Sequence, residues 1–122
     1  MQHHNKHNKD TGIKGENIAT DYLLLHGFTI IERNWRYKYW EIDIIASKGN
    51  LLHFIEVKTR TNERFGKPEE SINETKMNAL KNAASEYLHR HIEWKNIVFD
   101  VIAITLKNTV ASEILFIEDV YF

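Results

Sequence analysis

The sequence predicts a mixed α/β domain in which one helix, three strands, a second helix and two strands follow in order. Apolar residues recur at helical spacing in two segments, and five short runs rich in β-branched residues have the character of strands. The 122 residues, of which 43% are hydrophobic, suit a single core. Residues 1–10 are polar and rich in His, Asn and Lys, so we expect a flexible tail followed by one domain over 11–122.

The first helix is expected to begin at Asp10 or Thr11, both good capping residues, and to run to about His26. Gly27 follows at the position that usually ends a helix. Glu16 falls at the edge of the core-facing stripe, about 100° from its centre. The stripe itself comprises Ile18, Ala19, Tyr22 and Leu25.

The second helix is expected to begin at a capping box, Ser71–Glu74, and to end near His91. Before it, a segment with Gly66 and the only proline, Pro68, predicts a loop. Residues 48–50 predict a turn between two strands. Strands are expected at 28–33, 41–47, 51–60, 97–105 and 113–120.

Composition excludes several functional classes. The net charge of −1 argues against a protein that coats nucleic acid by bulk attraction, so any nucleic-acid contact must be local. The absence of cysteine excludes disulfides and thiolate metal sites. No apolar run approaches the ~20 residues of a membrane span, and no export signal is seen, so we expect a cytoplasmic protein.

Charged residues interrupt two otherwise apolar strands. Glu41 and Asp43 alternate in one strand, and Glu56 and Lys58 alternate in the next, followed by Arg60. Side chains two apart in a strand share a face. A connecting loop with an even number of residues brings all of these groups to one side, whereas a three-residue loop separates them.

These residue types suit phosphodiester chemistry. Clustered carboxylates raise each other's pKa, and a hard divalent cation such as Mg²⁺ or Mn²⁺ removes that cost. Asp43, Glu56 and Glu41 are therefore the candidate metal ligands. Lys58 is placed to orient or deprotonate water, or to stabilise charge on phosphate. The alternative is a set of cross-strand ion pairs on an exposed face, although such pairs rarely lie within hydrophobic runs.

The chain resembles the PD-(D/E)XK nuclease superfamily, and more closely the YraN-like family of small bacterial proteins, which is similar to archaeal Holliday-junction resolvases. The resemblance implies a restriction-endonuclease-like fold, a mixed central sheet flanked by helices. It implies Asp43 and Glu56 as metal ligands, Lys58 as the catalytic lysine and Glu16 as an accessory acidic residue. It rests on Gly15-Glu16, Gly27-Phe28, Arg33-Asn34, Glu41-Ile42-Asp43, Glu56-Val57-Lys58-x-Arg60, Gly66, Lys76 and Phe99-Asp100-Val101.

One departure from the family concerns Trp40, which occupies the position of the family's usual glycine before Glu41. Trp40 belongs to a segment, residues 35–40, that interleaves aromatic and basic residues. Such a segment can stack bases and hold phosphates, or it can form a twisted hairpin whose rings pack on each other. The expected nucleic-acid contacts are Arg36, Lys38, Trp40, Arg60 and Lys76.

Two further charges have ordinary alternatives. Lys76, near the start of the second helix, can contact a phosphate or can be an exposed helix lysine. Asp100 lies in a buried type of strand and is expected to support Lys76 or a ring nitrogen rather than to be catalytic.

The leading hypothesis is a Mg²⁺- or Mn²⁺-dependent nuclease-like protein that acts on DNA, with branched DNA as one candidate substrate and RNA left open. One alternative is a non-catalytic nucleic-acid-binding module on the same fold, and another is a protein-binding adaptor. Cutting both strands of a duplex would favour a homodimer, but the sequence identifies no dimer surface.

Overall fold

The computed structural model describes residues 2–61 and 74–120, with side chains from residue 10 onward. It confirms the predicted α/β class and order of elements, which is consistent with a restriction-endonuclease-like fold. The elements are α1 (Gln2–Leu25), β1 (Thr29–Tyr37), β2 (Trp40–Lys48), β3 (Leu51–Arg60), α2 (Glu74–Arg90), β4 (Asn96–Lys107) and β5 (Val110–Ile117).

The five strands form one mixed sheet in the order β1-β2-β3-β4-β5. Neighbours pair in antiparallel fashion except β3 and β4, which are parallel. A parallel pair needs a crossover, and α2 lies in the connection between β3 and β4. Helix α2 therefore belongs to the crossover between the two parallel strands, whereas α1 precedes all five strands.

The core has two parts, one for each helix. Buried residues of α2 pack with Ile42, Ile45, Leu52 and Phe54, whereas Ala19 and Leu23 of α1 pack in a separate cluster that includes Ile44, Ile55 and Ile104. Burial of the sheet on both sides explains why β3 and β4 are nearly continuous apolar runs. A charged group inside such a strand must find a partner or a cavity.

The β2–β3 connection has two loop residues, Gly49 and Asn50, because Lys48 pairs with Leu51. The positive φ of Gly49 (61°) suits the first central residue of a tight hairpin turn. The loop is even, as the clustering hypothesis requires. Its register pairs Ile44 with Ile55, so that the next positions along the strands are Asp43 and Glu56.

Several boundaries differ from those predicted. α1 begins at Gln2 rather than at Asp10 or Thr11, so the segment expected as a tail is helical; it contains no Gly or Pro that would break a helix. β1 extends to Tyr37, because the aromatic–basic segment pairs with β2. The predicted loop with Pro68 and the first three residues of the capping box lie outside the described residues.

The described part of the chain contains no helix that is both long enough and apolar enough to cross a membrane.

Candidate functional site

The candidate site is built where β2 and β3 separate. Their regular pairing ends at Ile44 and Ile55, and one carboxylate oxygen of Asp43 then accepts a hydrogen bond of 2.9 Å from the backbone N–H of Val57. The side chain thus replaces a backbone acceptor in the ladder. Asp43 is held against β3 by this bond.

β1 is also irregular beside Asp43. The register pairs Arg33 with Ile44 and Trp35 with Ile42, which leaves Asn34 opposite Asp43. Asn34 has a φ of 54°, a left-handed conformation that asparagine adopts more readily than most residues. The regular ladder is therefore interrupted on both sides of Asp43.

A cavity of about 400 Å³ brings most of the predicted catalytic residues together. Asp43 and Glu56 lie within their strands, one position beyond the last β2–β3 pair, and Lys58 follows on β3. The helices close the cavity with residues from the middle of α1 and from the first turn of α2. Its described lining consists of Thr11, Gly12, Glu16, Asp43, Glu56, Val57, Lys58, Thr59 and Lys76.

Two ammonium groups converge on the buried carboxylate of Glu56, which is 8% exposed. The Nζ of Lys76 lies 2.7 Å from Glu56 Oε1, and the Nζ of Lys58 lies 3.7 Å from the same oxygen. A carboxylate so deeply buried requires such pairing. Lys76 therefore contacts a predicted metal ligand, a contact that the sequence analysis did not foresee.

The pKa of Asp43 is raised to about 7, and burial is the largest cause. The nearby carboxylate of Glu56 is the second cause, the N–H of Val57 opposes the rise, and Glu16 and Glu41 contribute smaller increases. Near neutral pH the Asp43 carboxyl can therefore both bind and release a proton. A cation placed beside it would favour the charged form.

The two lysines are shifted in opposite directions. Burial and then the Lys76 side chain lower the pKa of Lys58, against the attraction of Glu56 and Asp43. Burial also lowers the pKa of Lys76, but its hydrogen bonds with Glu56 and Lys58 raise the pKa by more. Lys76 thus keeps its charge, and Lys58 gives up its proton more easily than an ordinary lysine.

Glu16 reaches the cavity from α1 and is supported by a neighbour on β1. Arg33 Nη2 lies 3.7 Å from Glu16 Oε1 and donates a 2.8 Å hydrogen bond to Asn17 Oδ1. At this level α1 and β3 approach closely, because Gly15 has no side chain to occupy the space next to Thr59. The helix can therefore bring Glu16 to the same cavity as Lys58.

Other predicted site residues lie outside the cavity lining. Glu41 pairs with Arg36 across the hairpin at 3.0 Å, and both are exposed. Trp40 is half-buried against the α2 side of the core, and Lys38 Nζ lies 5.3 Å from the Tyr37 ring centroid. Arg60 lies near the end of β3, half-buried and beyond Thr59.

The aromatic–basic segment forms part of the β1–β2 hairpin, and several of its rings pack against neighbouring side chains. Trp35 makes an edge-to-face contact with the buried ring of Tyr87, with centroids 5.4 Å apart. Tyr37 and Trp40 face each other at 6.0 Å. Tyr39, at the turn, is 96% exposed and remains available for contact.

Comparison with known protein families gives a clear match. The family model described as "Uncharacterised protein family UPF0102" matches residues 15–104. The chain belongs to this family. A UPF0102 protein of Thermodesulfovibrio yellowstonii is 47% identical over 98 residues, covering 80% of this chain and 88% of the relative.

Further UPF0102 relatives match over similar or greater lengths. A protein of Dictyoglomus turgidum is 43% identical over 101 residues, covering 82% of this chain and 86% of the relative. A protein of Rhodococcus opacus is 38% identical over 118 residues, covering 94% and 98%. The matched region of the family model contains Glu16, Asp43, Glu56, Lys58 and Lys76.

The oxygen ligands of this UPF0102 chain fit a hard cation that takes only one or two of its ligands from the protein. Within the described residues no three His, Asp or Glu side chains are arranged to hold a metal by themselves. Mg²⁺ commonly uses one or two carboxylates and completes its shell with water and phosphate. Asp43 and Glu56 supply two carboxylates in one cavity, which meets that need.

Sequence reasoning missed three contributors to the site. Thr11 and Gly12 fall within the predicted helix, but no local feature of the sequence indicates that they line the cavity. Thr59 lies two residues after Val57, so the strand pattern places both on one face of β3. The pattern does not reveal the contact of Thr59 with α1, because that contact depends on how the helix packs.

Proposed function

We propose that the chain is a metal-dependent nuclease-like protein of the PD-(D/E)XK type, which binds DNA and hydrolyses its phosphodiester bonds. The observation that carries the proposal is the shared cavity of Asp43, Glu56 and Lys58, with Glu16 and Lys76 at its edges. Surface ion pairs alone would not require a buried Glu56 or an interrupted strand pairing at Asp43. A cleft that collects carboxylates and lysines with shifted pKa values is typical of a catalytic site.

In this proposal Asp43 and Glu56 hold Mg²⁺ or Mn²⁺. Such an ion would polarise a phosphate oxygen and lower the pKa of water, supplying a nucleophile at neutral pH. Lys58 lies two residues along β3 from Glu56 and within 3.7 Å of its carboxylate, where its amine can orient the attacking water or accept its proton. Glu16 supports the site from α1.

DNA is the proposed substrate, bound by local positive charge in the cytoplasm. The net charge of −1 excludes a general coating of the phosphate backbone. Lys76, whose side chain is 44% exposed at the cavity, is placed to contact a phosphate beside the reacting bond. Arg36 and Lys38 on the exposed hairpin would hold more distant phosphates. A second copy of the chain would serve the other strand of a duplex.

One observation favours the alternative of a binding module that does not cut. The ammonium of Lys76 lies at 2.7 Å from Glu56, where it already balances the charge of one carboxylate. If this ion pair persists in solution, it competes with a cation for Glu56. A protein of this kind would bind DNA with the same cavity and leave the strand intact.

Cleavage assays with defined substrates test the proposal. Labelled linear duplex, single-stranded and four-way-junction DNA are incubated with Mg²⁺ or Mn²⁺ and with native protein, Glu56→Ala or Lys58→Ala. Lys107→Ala, a change at an exposed lysine at the far end of β4, is the matched control. We expect cleavage by the native and Lys107→Ala proteins and its loss, by at least about 100-fold, in both site variants.

Cleavage by native protein and its loss in both site variants would support the nuclease reading and show the preferred DNA structure. Cleavage that persists in the site variants would point to a contaminating nuclease and overturn the assignment. Salt-sensitive DNA binding without cleavage in either metal would establish the binding module.

A further inference from the structure

A second cavity, of about 260 Å³, lies at the C-terminal end of α1. Its lining combines aromatic rings with polar and charged side chains, a combination that suits a ligand with both a ring and a charged group. Glu118 lies at its rim. The principal lining residues are Tyr22, His26, Phe28, Lys48, His53 and Phe116.

A buried, hydrogen-bonded pair of side chains lies at the wall of this cavity. His53 is 4% exposed, and its Nδ1 lies 2.5 Å from Oδ2 of the fully buried Asp100. The other oxygen of Asp100 accepts a 2.8 Å hydrogen bond from the backbone N–H of Asp119. The carboxylate is therefore fully engaged, and it fixes the orientation of the His53 ring.

The outer nitrogen of the same ring has no such partner. Within the described residues His53 Nε2 makes no hydrogen bond, although the ring lines the cavity. Nε2 is not fully buried, so it is open to the cavity and can meet a ligand there. An imidazole held through Nδ1 by a carboxylate presents Nε2 to a ligand in a defined direction.

Lys48 supplies a positive charge at the same cavity. Its Nζ lies 5.2 Å from the centroid of the Phe28 ring. In the part of the chain that the structure describes, no carboxylate lies within 4 Å of it. An ammonium placed beside an apolar wall, without an acidic partner, is suited to an anionic group that enters with an aromatic one.

We propose that this cavity binds one nucleotide, with the base among the aromatic side chains and the phosphate at Lys48. His53 Nε2 would bond the edge of the base, and the rings of Tyr22 and His26, stacked on each other with centroids 4.0 Å apart, would form one aromatic wall beside it. Glu118 at the rim can accept a bond from an amino group on the base.

The nucleotide can come from solution or from a nucleic-acid strand. From Glu16 to Tyr22 is six residues of α1, or about 9 Å, so the two cavities lie close enough for one strand to reach both. If the bound nucleotide belongs to a nucleic-acid strand, the inference rests on the proposed function. If it is a free nucleotide from solution, the inference is independent of that function.

The test is a binding titration in EDTA, where metal-dependent cleavage cannot occur. The four ribonucleoside monophosphates, and a single-stranded oligonucleotide compared with an abasic strand of equal length, are added to ¹⁵N-histidine-labelled protein. The His53 ring signals and the dissociation constants are measured. His53→Phe removes Nε2 but keeps a ring, Lys48→Met removes the charge, and Lys107→Met is a matched control at the other hairpin.

We expect a mononucleotide or the base-bearing strand to shift the His53 signals and to bind about tenfold more weakly to His53→Phe and Lys48→Met than to the native and Lys107→Met proteins. Binding of mononucleotides identifies the free source, and binding of the base-bearing strand alone identifies the strand. No binding of either probe, or binding unchanged in both variants, overturns the inference. Because Lys48 is exposed, its variant stays informative if His53→Phe fails to fold.

The result is separable from that of the cleavage assay. Suppose that nucleotide binding in EDTA persists in Asp43→Asn, and that neither the native protein nor its variants cleave DNA. The nucleotide-binding inference would then stand, and the proposed nuclease function would be rejected. Cleavage without any effect of His53→Phe or Lys48→Met on binding would do the reverse.

Discussion

The carboxylate of Asp43 accepts the backbone N–H of Val57 at 2.9 Å, at the point where β2 and β3 stop pairing with each other. The bond fixes the position of an ionisable side chain at the end of the regular β2–β3 pairing. It also places that side chain next to Glu56, the residue before Val57. The cost of this proximity appears as the pKa of Asp43, which burial and then Glu56 raise to about 7.

The stability of the metal-free protein should fall as pH rises through this range. Because the folded pKa of Asp43 lies above its unfolded value, the folded state holds the proton more tightly. The contribution is full below about pH 4 and is lost by about pH 7, with a slope of at most about 1.4 kcal/mol per pH unit. Urea unfolding in EDTA between pH 5 and pH 8 measures it.

Asp43→Asn is the comparison that isolates this effect from other titrating groups. The asparagine keeps the size of the side chain but has no proton to release, so the difference in unfolding free energy between native protein and variant should change with pH in the sense given above. A difference that stays constant from pH 5 to pH 8 would show that Asp43 titrates normally in the folded protein.

Metal binding should have the opposite dependence on pH. A cation held by Asp43 and Glu56 must displace the proton from Asp43, so the apparent affinity should rise as pH increases towards 7 and level off above it. The change is at most about tenfold per pH unit for one displaced proton. Mn²⁺ binding followed by electron paramagnetic resonance from pH 5.5 to 8.5 provides the measurement. An affinity independent of pH would contradict the role of Asp43 as a ligand.

Much of the fold could be predicted because its signals are local. Alternating apolar residues, a Gly-Asn turn and helical stripes identified the order of all seven elements. The same alternation singled out Asp43, Glu56 and Lys58, since charges inside buried strands need a reason. The clustering required only an even loop, and Gly49-Asn50 supplies one.

The remaining features depend on contacts between distant segments. A loop of Lys48-Gly49 would have placed Glu41 opposite Glu56, whereas the observed loop shifts the register by two and leaves Glu41 paired with Arg36. Strict alternation also fails at Asp43, because Ile42 packs with the α2 cluster and Ile44 with the α1 cluster. No pattern within one strand reveals such an interruption.

Removing the charge of Lys76 should raise the pKa of Lys58. Burial lowers the pKa of Lys58 and the Lys76 side chain lowers it further, so Lys76→Met removes the second cause and leaves the attraction of Glu56. Protein labelled with ¹³C at the lysine ε-carbon allows the titration of Lys58 to be followed by NMR. Lys107→Met should leave that titration unchanged. A Lys58 pKa that stays the same or falls in Lys76→Met would contradict the coupling.

The close approach of α1 to β3 gives a matched pair of glycine variants. A Cβ added at Gly15 would lie 1.8 Å from Thr59 Oγ1 and 2.8 Å from Thr59 Cβ, whereas a Cβ at Gly12 would meet nothing within 4 Å. Rotation of the Thr59 side chain can move its oxygen but not its Cβ. Gly15→Ala must therefore push the helix away from the strand, with Glu16 moving away from Lys58.

Alanine normally stabilises a helix relative to glycine by up to about 1 kcal/mol, so Gly12→Ala should be neutral or stabilising. Gly15→Ala should instead lose about 1–3 kcal/mol and weaken Mn²⁺ binding, because overpacking displaces one wall of the cavity. Adding Thr59→Ala, which removes the hydroxyl and methyl but leaves the Cβ, should restore part of the loss. Urea unfolding and Mn²⁺ titration of the three variants measure both effects, and equal stability of Gly12→Ala and Gly15→Ala would show that α1 does not pack at this distance.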